Sequence, residues 1–194
     1  LADDILFPAL KRRLSETTLT PGDHDSLSGD LQLLHDVEMV SQSPIGKSTR
    51  SNPVTYIKAY DEIRRLYADQ PYAVHTGIPA TSFSFNMPGG RCEECEGEGV
   101  IKVSMQFMAD VELTCEACGG MRFKPEILEV KYRGRSIYDV LEMSVDEAIE
   151  FFAEDAENAT CRRIVERIRP LQQVGLGYVK LGQSSSTLSG GESQ

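Results

Sequence analysis

The stretch RCEECEGEGVIKVSMQFMADVELTCEACGGMRF, residues 91–123, decides how the rest of the chain is read. It holds four of the five cysteines, as two C-x-x-C pairs, Cys92/Cys95 and Cys115/Cys118. Zinc takes four thiolates in a tetrahedron, and each C-x-x-C supplies two sulfurs from one tight knuckle. Gly97, Gly99, Gly119 and Gly120 permit the positive φ that such knuckles need. Between the pairs, apolar residues alternate at Ile101, Val103, Met105 and Phe107 and resume at Val111 and Leu113. That period of two predicts a hairpin, which brings the cysteine pairs together at its base. Disulfides would suit a secreted chain, and nothing in the sequence indicates secretion. Redox C-x-x-C pairs usually open a helix after a strand rather than flank a hairpin. A structural zinc held by Cys92, Cys95, Cys115 and Cys118 is therefore expected. Cys161, on a helical stretch, reads as an ordinary thiol, and His24, His35 and His75 lack ligand spacing.

Outward from this module, the elements are mixed. Toward the C-terminus, EILEVKYRGRSI predicts a strand, a turn at Arg133-Gly134 and a short edge. Ser144 and Glu147 form a capping-box pattern that opens a helix at SVDEAIEFFAE. Another helix is expected from about Ala159 to Gln173, with Ile164, Val165, Ile168 and Leu171 inward and Pro170 ending or kinking it early. Gly175 suits its C-cap, and YVKL a short strand.

Toward the N-terminus, residues 71–90 look irregular. Asn52 followed by Pro53 predicts a capped helix start, with Val54, Ile57, Ile63, Leu66 and Tyr67 on its apolar face. LQLLHDVEMVSQ predicts a short strand ending near Gln42. Residues 15–30 read as a loop and 1–14 as a helix, with Ile5, Leu6, Ala9 and Leu10 on one face and Pro8 limiting its first turn. The fold class expected is α+β, with residues 91–123 as an inserted metal-held module between segments 1–90 and 124–194.

The 194 residues suffice for one medium domain or two small ones, and the hydrophobic and charged fractions, 40% and 26%, are those of a globular protein. No run of 18 apolar residues offers a membrane span, and LADDILFPAL has no basic region of a signal peptide. A cytoplasmic location is expected. The chain starts without Met and stops at SGGESQ, on the opening of a helix, so it is expected to be a piece of a longer protein. A formal net charge of −10 argues against a diffuse basic nucleic-acid binder.

Two phosphate-related patterns remain. SQSPIGKSTRSNP, residues 41–53, contains Gly46-Lys47-Ser48, the end of a phosphate-binding loop. Ser41 stands where the first glycine belongs, however, and Pro44 has no N–H to offer the cradle. TLSGGESQ, residues 187–194, pairs Ser189 with Glu192 in a capping box and puts two glycines in the first turn. Bare N–H groups, a hydroxyl and the positive end of the helix dipole suit an anion. An ordinary capped helix would read the same.

Leu188 to Glu192, L-S-G-G-E, resembles the signature motif of ABC-type ATPases. SQSPIGKSTRSNPVTY, SFSFNMPGGRCEEC, the hairpin, CEACGG, RSIYDVLEMSVDEAIEFF and VGLGYVKLGQSSSTLSGGE are similar, in this order, to the second ATPase half of the UvrA family of bacterial excinuclease components. The resemblance spans nearly the whole chain. It implies a signature domain with an inserted zinc hairpin, lying between a P-loop ahead of Leu1 and a Walker B segment after Gln194. It further implies that Gln42 is the Q-loop glutamine, which reaches the metal and γ-phosphate region. Ser189, Gly190, Gly191 and Glu192 become the signature that faces nucleotide, and Gly46-Lys47-Ser48 is no cradle.

The family role is an ATPase of nucleotide excision repair and the SOS response. It uses ATP and magnesium beside zinc, binds damaged double-stranded DNA, works with other excinuclease components including UvrB, and forms a homodimer. This segment alone, lacking P-loop and Walker B, is expected to be inactive. Where many members carry lysine before the Gly-Gly of the FSFN-x-x-GG stretch, this chain has Pro88, which puts one DNA-contacting charge in doubt. Between Arg91 and Arg135 there are seven basic and nine acidic residues. DNA contact then depends on segregation of Lys102, Arg122, Lys124, Lys131, Arg133 and Arg135, with solvated surface as the plain reading. A different resemblance, of CEECEGEG to the C-x-x-C-x-G-x-G repeat of DnaJ-type chaperones, is the alternative. A plain transporter ATPase would share the signature but not the zinc hairpin.

Overall fold

A computed structural model describes residues 1–15, 18–40, 51–105 and 108–193. The chain divides into two compact units, Leu1–Ser43 and Pro44–Ser193. In the first, a π-helical turn Ala2–Leu6 leads into α1, Phe7–Leu14, with Pro8 just after the junction. The Gly22 N–H donates to the Asp4 carbonyl at 2.8 Å, and Lys11 pairs with Asp36 at 2.9 Å. The strand expected to end near Gln42 does not form over the described part of that stretch. Leu31–Leu33 is a 3-10 turn, residues 34–40 carry no regular element, and Leu33 and Val40 are exposed. A strand needs a neighbour for its backbone groups, and no described segment offers one. Gln42 itself lies outside the described residues.

The second unit begins with the expected cap. Asn52 Oδ1 accepts from the Thr55 N–H at 3.1 Å, and Pro53 opens α2, Pro53–Tyr56. The helix does not run on as expected: Lys58 takes φ 58°, and α3 restarts over Tyr60–Ala68. Residues 71–90 are more ordered than their sequence suggests. Pro71 opens α4, Pro71–Thr76, which Gly77 closes in the left-handed region. The hairpin is as predicted: β1, Val100–Met105, and β2, Met108–Thr114, pair antiparallel with Ile101 opposite Leu113 and Val103 opposite Val111. It is the only sheet among the described residues.

Beyond it, the predicted strand at EILEV is instead a helical turn, α5, Pro125–Leu128, with the Arg133-Gly134 turn closed by a single Tyr132–Arg135 bridge. YVKL likewise makes one bridge, Lys180 to Ser144, because no extended partner lies beside it. Two capping boxes start α6, Ile137–Glu142, at Ser136/Asp139 and α7, Val145–Ala153, at Ser144/Glu147. In α8, Ala159–Gln173, Pro170 neither ends nor visibly interrupts the helix before its last turn. The end falls at Gly175, φ 85°, where the Leu176 N–H reaches the Leu171 carbonyl at 2.9 Å and the Gly175 N–H that of Gln172 at 2.9 Å, a Schellman closure. Packing of α3 and α7 on α8 builds the core around Ile63, Tyr67, Phe152, Ile164 and Ile168. The buried Glu62 joins α3 to α8 through Arg163 at 3.1 Å and Arg167 at 3.5 Å. Among the described residues no helix is long and apolar enough to cross a membrane.

Candidate functional site

The cysteine module closes at its base by a bridge between Arg91 and Phe123 and by the Cys92 N–H donating to the Arg122 carbonyl at 2.8 Å. Positive φ at Glu96, Gly97 and Gly99 turns the first knuckle, and at Gly119 and Gly120 the second. Each returning turn offers an N–H. Gly99 donates to the Cys95 sulfur at 3.3 Å, and Met121 to the Cys118 carbonyl at 3.0 Å.

All four Sγ atoms lie within 4.8 Å of one another and are buried. Cys92 and Cys115 stand 3.9 Å apart, Cys95 and Cys118 3.7 Å. A tetrahedron with zinc–sulfur bonds of about 2.3 Å has edges of about 3.8 Å, so the donor set fits that ion. It does not fit disulfides, whose sulfurs approach to about 2.05 Å. Burial pushes the Cys118 thiol up to about 12 and raises Cys95 as well. At Cys92 burial also opposes ionisation, but the Cys95 and Glu94 N–H groups outweigh it and the thiol lies below its ordinary value. Four thiols so gathered repel one another as thiolates, and a divalent cation removes that conflict. Apart from the cysteines, Ile101 is the apolar side chain packed against the cluster.

The second site is the turn before α9, Gly190–Ser193. The Ser189 N–H donates to Glu192 Oε2 at 2.6 Å and the Glu192 N–H to Ser189 Oγ at 3.3 Å, so the capping box forms. Ser189, Gly190 and Gly191 are exposed, and nothing lies within 4 Å of where a Gly191 Cβ would be. The second oxygen of Glu192 accepts from the Tyr178 hydroxyl at 2.6 Å. Sequence reasoning missed Tyr178, since no spacing rule links residues fourteen apart across a loop.

No family model matches the chain. All of its 194 residues are 47% identical to UvrABC system protein A of Methanothermobacter thermautotrophicus and 47% to that of Thermus thermophilus, covering 19% and 20% of those proteins. The Streptomyces coelicolor protein of the same name is 48% identical over the same span, 18% of its length. The 194 residues belong to the UvrA family. They span about one fifth of the length of these UvrA relatives. The crystal structure of UvrA2 from Deinococcus radiodurans matches 79% of the chain and 18% of its own with a TM-score of 0.72 at 47% identity. The mixed α+β fold thus matches that of the UvrA2 structure, and in this chain it carries the four clustered cysteines. A chaperone reading is not favoured, because the UvrA likeness runs through every segment and not through the knuckles alone.

Other residues that the UvrA resemblance singles out are distributed unevenly. Gln42, Gly46, Lys47 and Ser48 lie outside the described residues. Lys102 and Arg122 share a cleft of about 240 Å³ with Glu98, Glu112 and Thr187. Lys102 pairs with Glu112 at 3.2 Å, while Arg122 makes no ion pair among the described residues and lies over the Phe85 ring at 6.0 Å. Lys124 is held by Glu93 at 2.5 Å, and Arg133 by Glu154 and the Phe151 carbonyl. Lys131 and Arg135 are exposed, and Arg135 borders a groove lined with Asp139, Glu142, Glu147, Glu150 and Glu154. The six cations therefore do not form one patch.

Proposed function

We propose that this chain is the signature-bearing part of an ABC-type ATPase that recognises damaged double-stranded DNA in nucleotide excision repair. The observation that carries the reading is the unbroken likeness of all 194 residues to UvrABC system protein A at 47% identity. In this reading Cys92, Cys95, Cys115 and Cys118 hold zinc, which fixes the root of a hairpin too small to be stable alone. Ser189, Gly190, Gly191 and Glu192 form the signature wall of a composite ATP–magnesium site whose P-loop comes from another part of the protein, and Gln42 reaches the γ-phosphate. Arg122, Lys102, Lys124, Lys131, Arg133 and Arg135 meet DNA phosphates from separate positions, and damage is read as deformability rather than base order. UvrB and a second copy of the whole protein are the expected partners.

One helix N-terminus contributes on the order of 1 kcal/mol toward an exposed anion, whereas micromolar affinity takes about 8 kcal/mol. Residues 1–194 alone therefore neither bind ATP measurably nor hydrolyse it. In the full-length protein, Ser189→Arg leaves nucleotide binding nearly intact and abolishes turnover at the composite site. Calorimetry and steady-state hydrolysis test both statements. Unchanged turnover in Ser189→Arg refutes the signature assignment, and micromolar ATP binding by residues 1–194 makes SPIGKST a cradle after all.

A further inference from the structure

Among the described residues, Tyr178 reaches the Ser189–Glu192 capping box from a separate segment of the chain. The base on which Tyr178 stands is rigid. The carbonyl of Gly177 accepts from the Asp146 N–H at 2.9 Å, and that of Val179 from the Val145 N–H at 2.9 Å. Both donors are first-turn N–H groups of α7, so the residues on either side of Tyr178 are tied to a core helix. A Cβ at Gly177 would lie 2.3 Å from the Asp146 carboxylate, so a larger residue there would displace that side chain.

From that base the Tyr178 ring, 65% exposed, carries its hydroxyl to Glu192 Oε1 at 2.6 Å while Oε2 holds the Ser189 N–H at 2.6 Å. We propose that Tyr178 is a positioning residue for the signature: it grips the Glu192 carboxylate from the side opposite Ser189. This fixes the turn that carries the Gly190 and Gly191 N–H groups. The same contact draws the Glu192 carboxyl below the usual carboxylate range and the phenol above its ordinary value, as a shared proton donor and charged acceptor require. An exposed tyrosine that served only as surface would not need its hydroxyl in this place.

The inference rests on the signature reading, and the test separates the two. In full-length protein, Tyr178→Phe keeps the ring and removes only the hydroxyl. The expected result is a fall in kcat for ATP hydrolysis of roughly tenfold, the effect of losing one charge-assisted hydrogen bond, with KM within about twofold. In a Glu192→Ala background the same change adds less than about twofold, since the grip is already gone. A kcat within twofold of the parent, or losses that simply multiply in the double variant, overturns the proposal. The contact itself is read in residues 1–194 by NMR of ring-labelled tyrosine: the Tyr178 phenol carbon shifts on Glu192→Gln. An unmoved signal also overturns the proposal. If Ser189→Arg has no effect on turnover while the NMR contact is present, the signature reading has failed and the positioning role falls with it.

Discussion

Replacing Gly97 with alanine tests whether docking of the cysteine module on the core holds the metal site. Gly97 takes φ 86°, in the left-handed region, and a Cβ there would lie 2.2 Å from the carbonyl oxygen of the buried Phe85. The left-handed conformation costs an L-residue about 1–2 kcal/mol. An ordinary contact begins near 3.4 Å, so knuckle and core backbone must separate by about 1 Å. Overpacking of this kind adds about 1–3 kcal/mol, for a total of about 2–5 kcal/mol.

Gly134→Ala is the control, since Gly134 has φ 80° but nothing within 4 Å of its Cβ position. It carries the backbone cost alone. At this chain size about 1 kcal/mol moves Tm by roughly 2–4 °C, so Gly97→Ala melts a further 2–12 °C below Gly134→Ala. Cys118→Ser supplies the reference for a lost site, with zinc absent by elemental analysis and the segment from Arg91 to Arg122 open to protease. Under a chelator that leaves the parent loaded, Gly97→Ala loses zinc and is cut in the same segment, while Gly134→Ala is not. If Gly97→Ala and Gly134→Ala coincide in Tm, zinc retention and cleavage, the docking argument is wrong.

Charge reversal at Arg122 in the full-length protein weakens duplex binding and lowers the slope of log affinity against log salt by about one. Lys124→Glu has the smaller effect, because Glu93 already neutralises that lysine; equal slopes and affinities for parent and variants would leave both residues as surface. Glu62→Gln removes the buried carboxylate that Arg65, Arg163 and Arg167 share. The partly exposed guanidiniums soften the loss to about 2 kcal/mol, read as a lower urea midpoint with unchanged m; an unmoved midpoint would show that α3 and α8 do not depend on this cluster.

Local chemistry was legible without a structure. The two C-x-x-C pairs, the alternation from Ile101 to Leu113, the Asn52 cap with Pro53, and the Ser144/Glu147 and Ser189/Glu192 boxes each involve neighbours within a turn or across a hairpin, so spacing alone specifies their contacts. The apolar runs EILEV, YVKL and LQLLHDVEMV do not form strands, for one common reason. An apolar run says that a segment wants burial, but only a neighbouring strand makes it a strand, and the described residues contain a single paired ribbon. Pro170 does not end α8 early: its ring forgoes one bond to the preceding turn, but the helix runs on to Gln173 and Gly175 sets its end.

Tertiary structure alone decided the rest. It places a knuckle glycine against Phe85, ties Glu62 to arginines a hundred residues away, divides six cations between separate surroundings, and brings Tyr178 to Glu192. Those contacts join segments distant along the chain. Their geometry comes from how helices pack around Phe152 and Ile164, and no periodicity in the sequence encodes it.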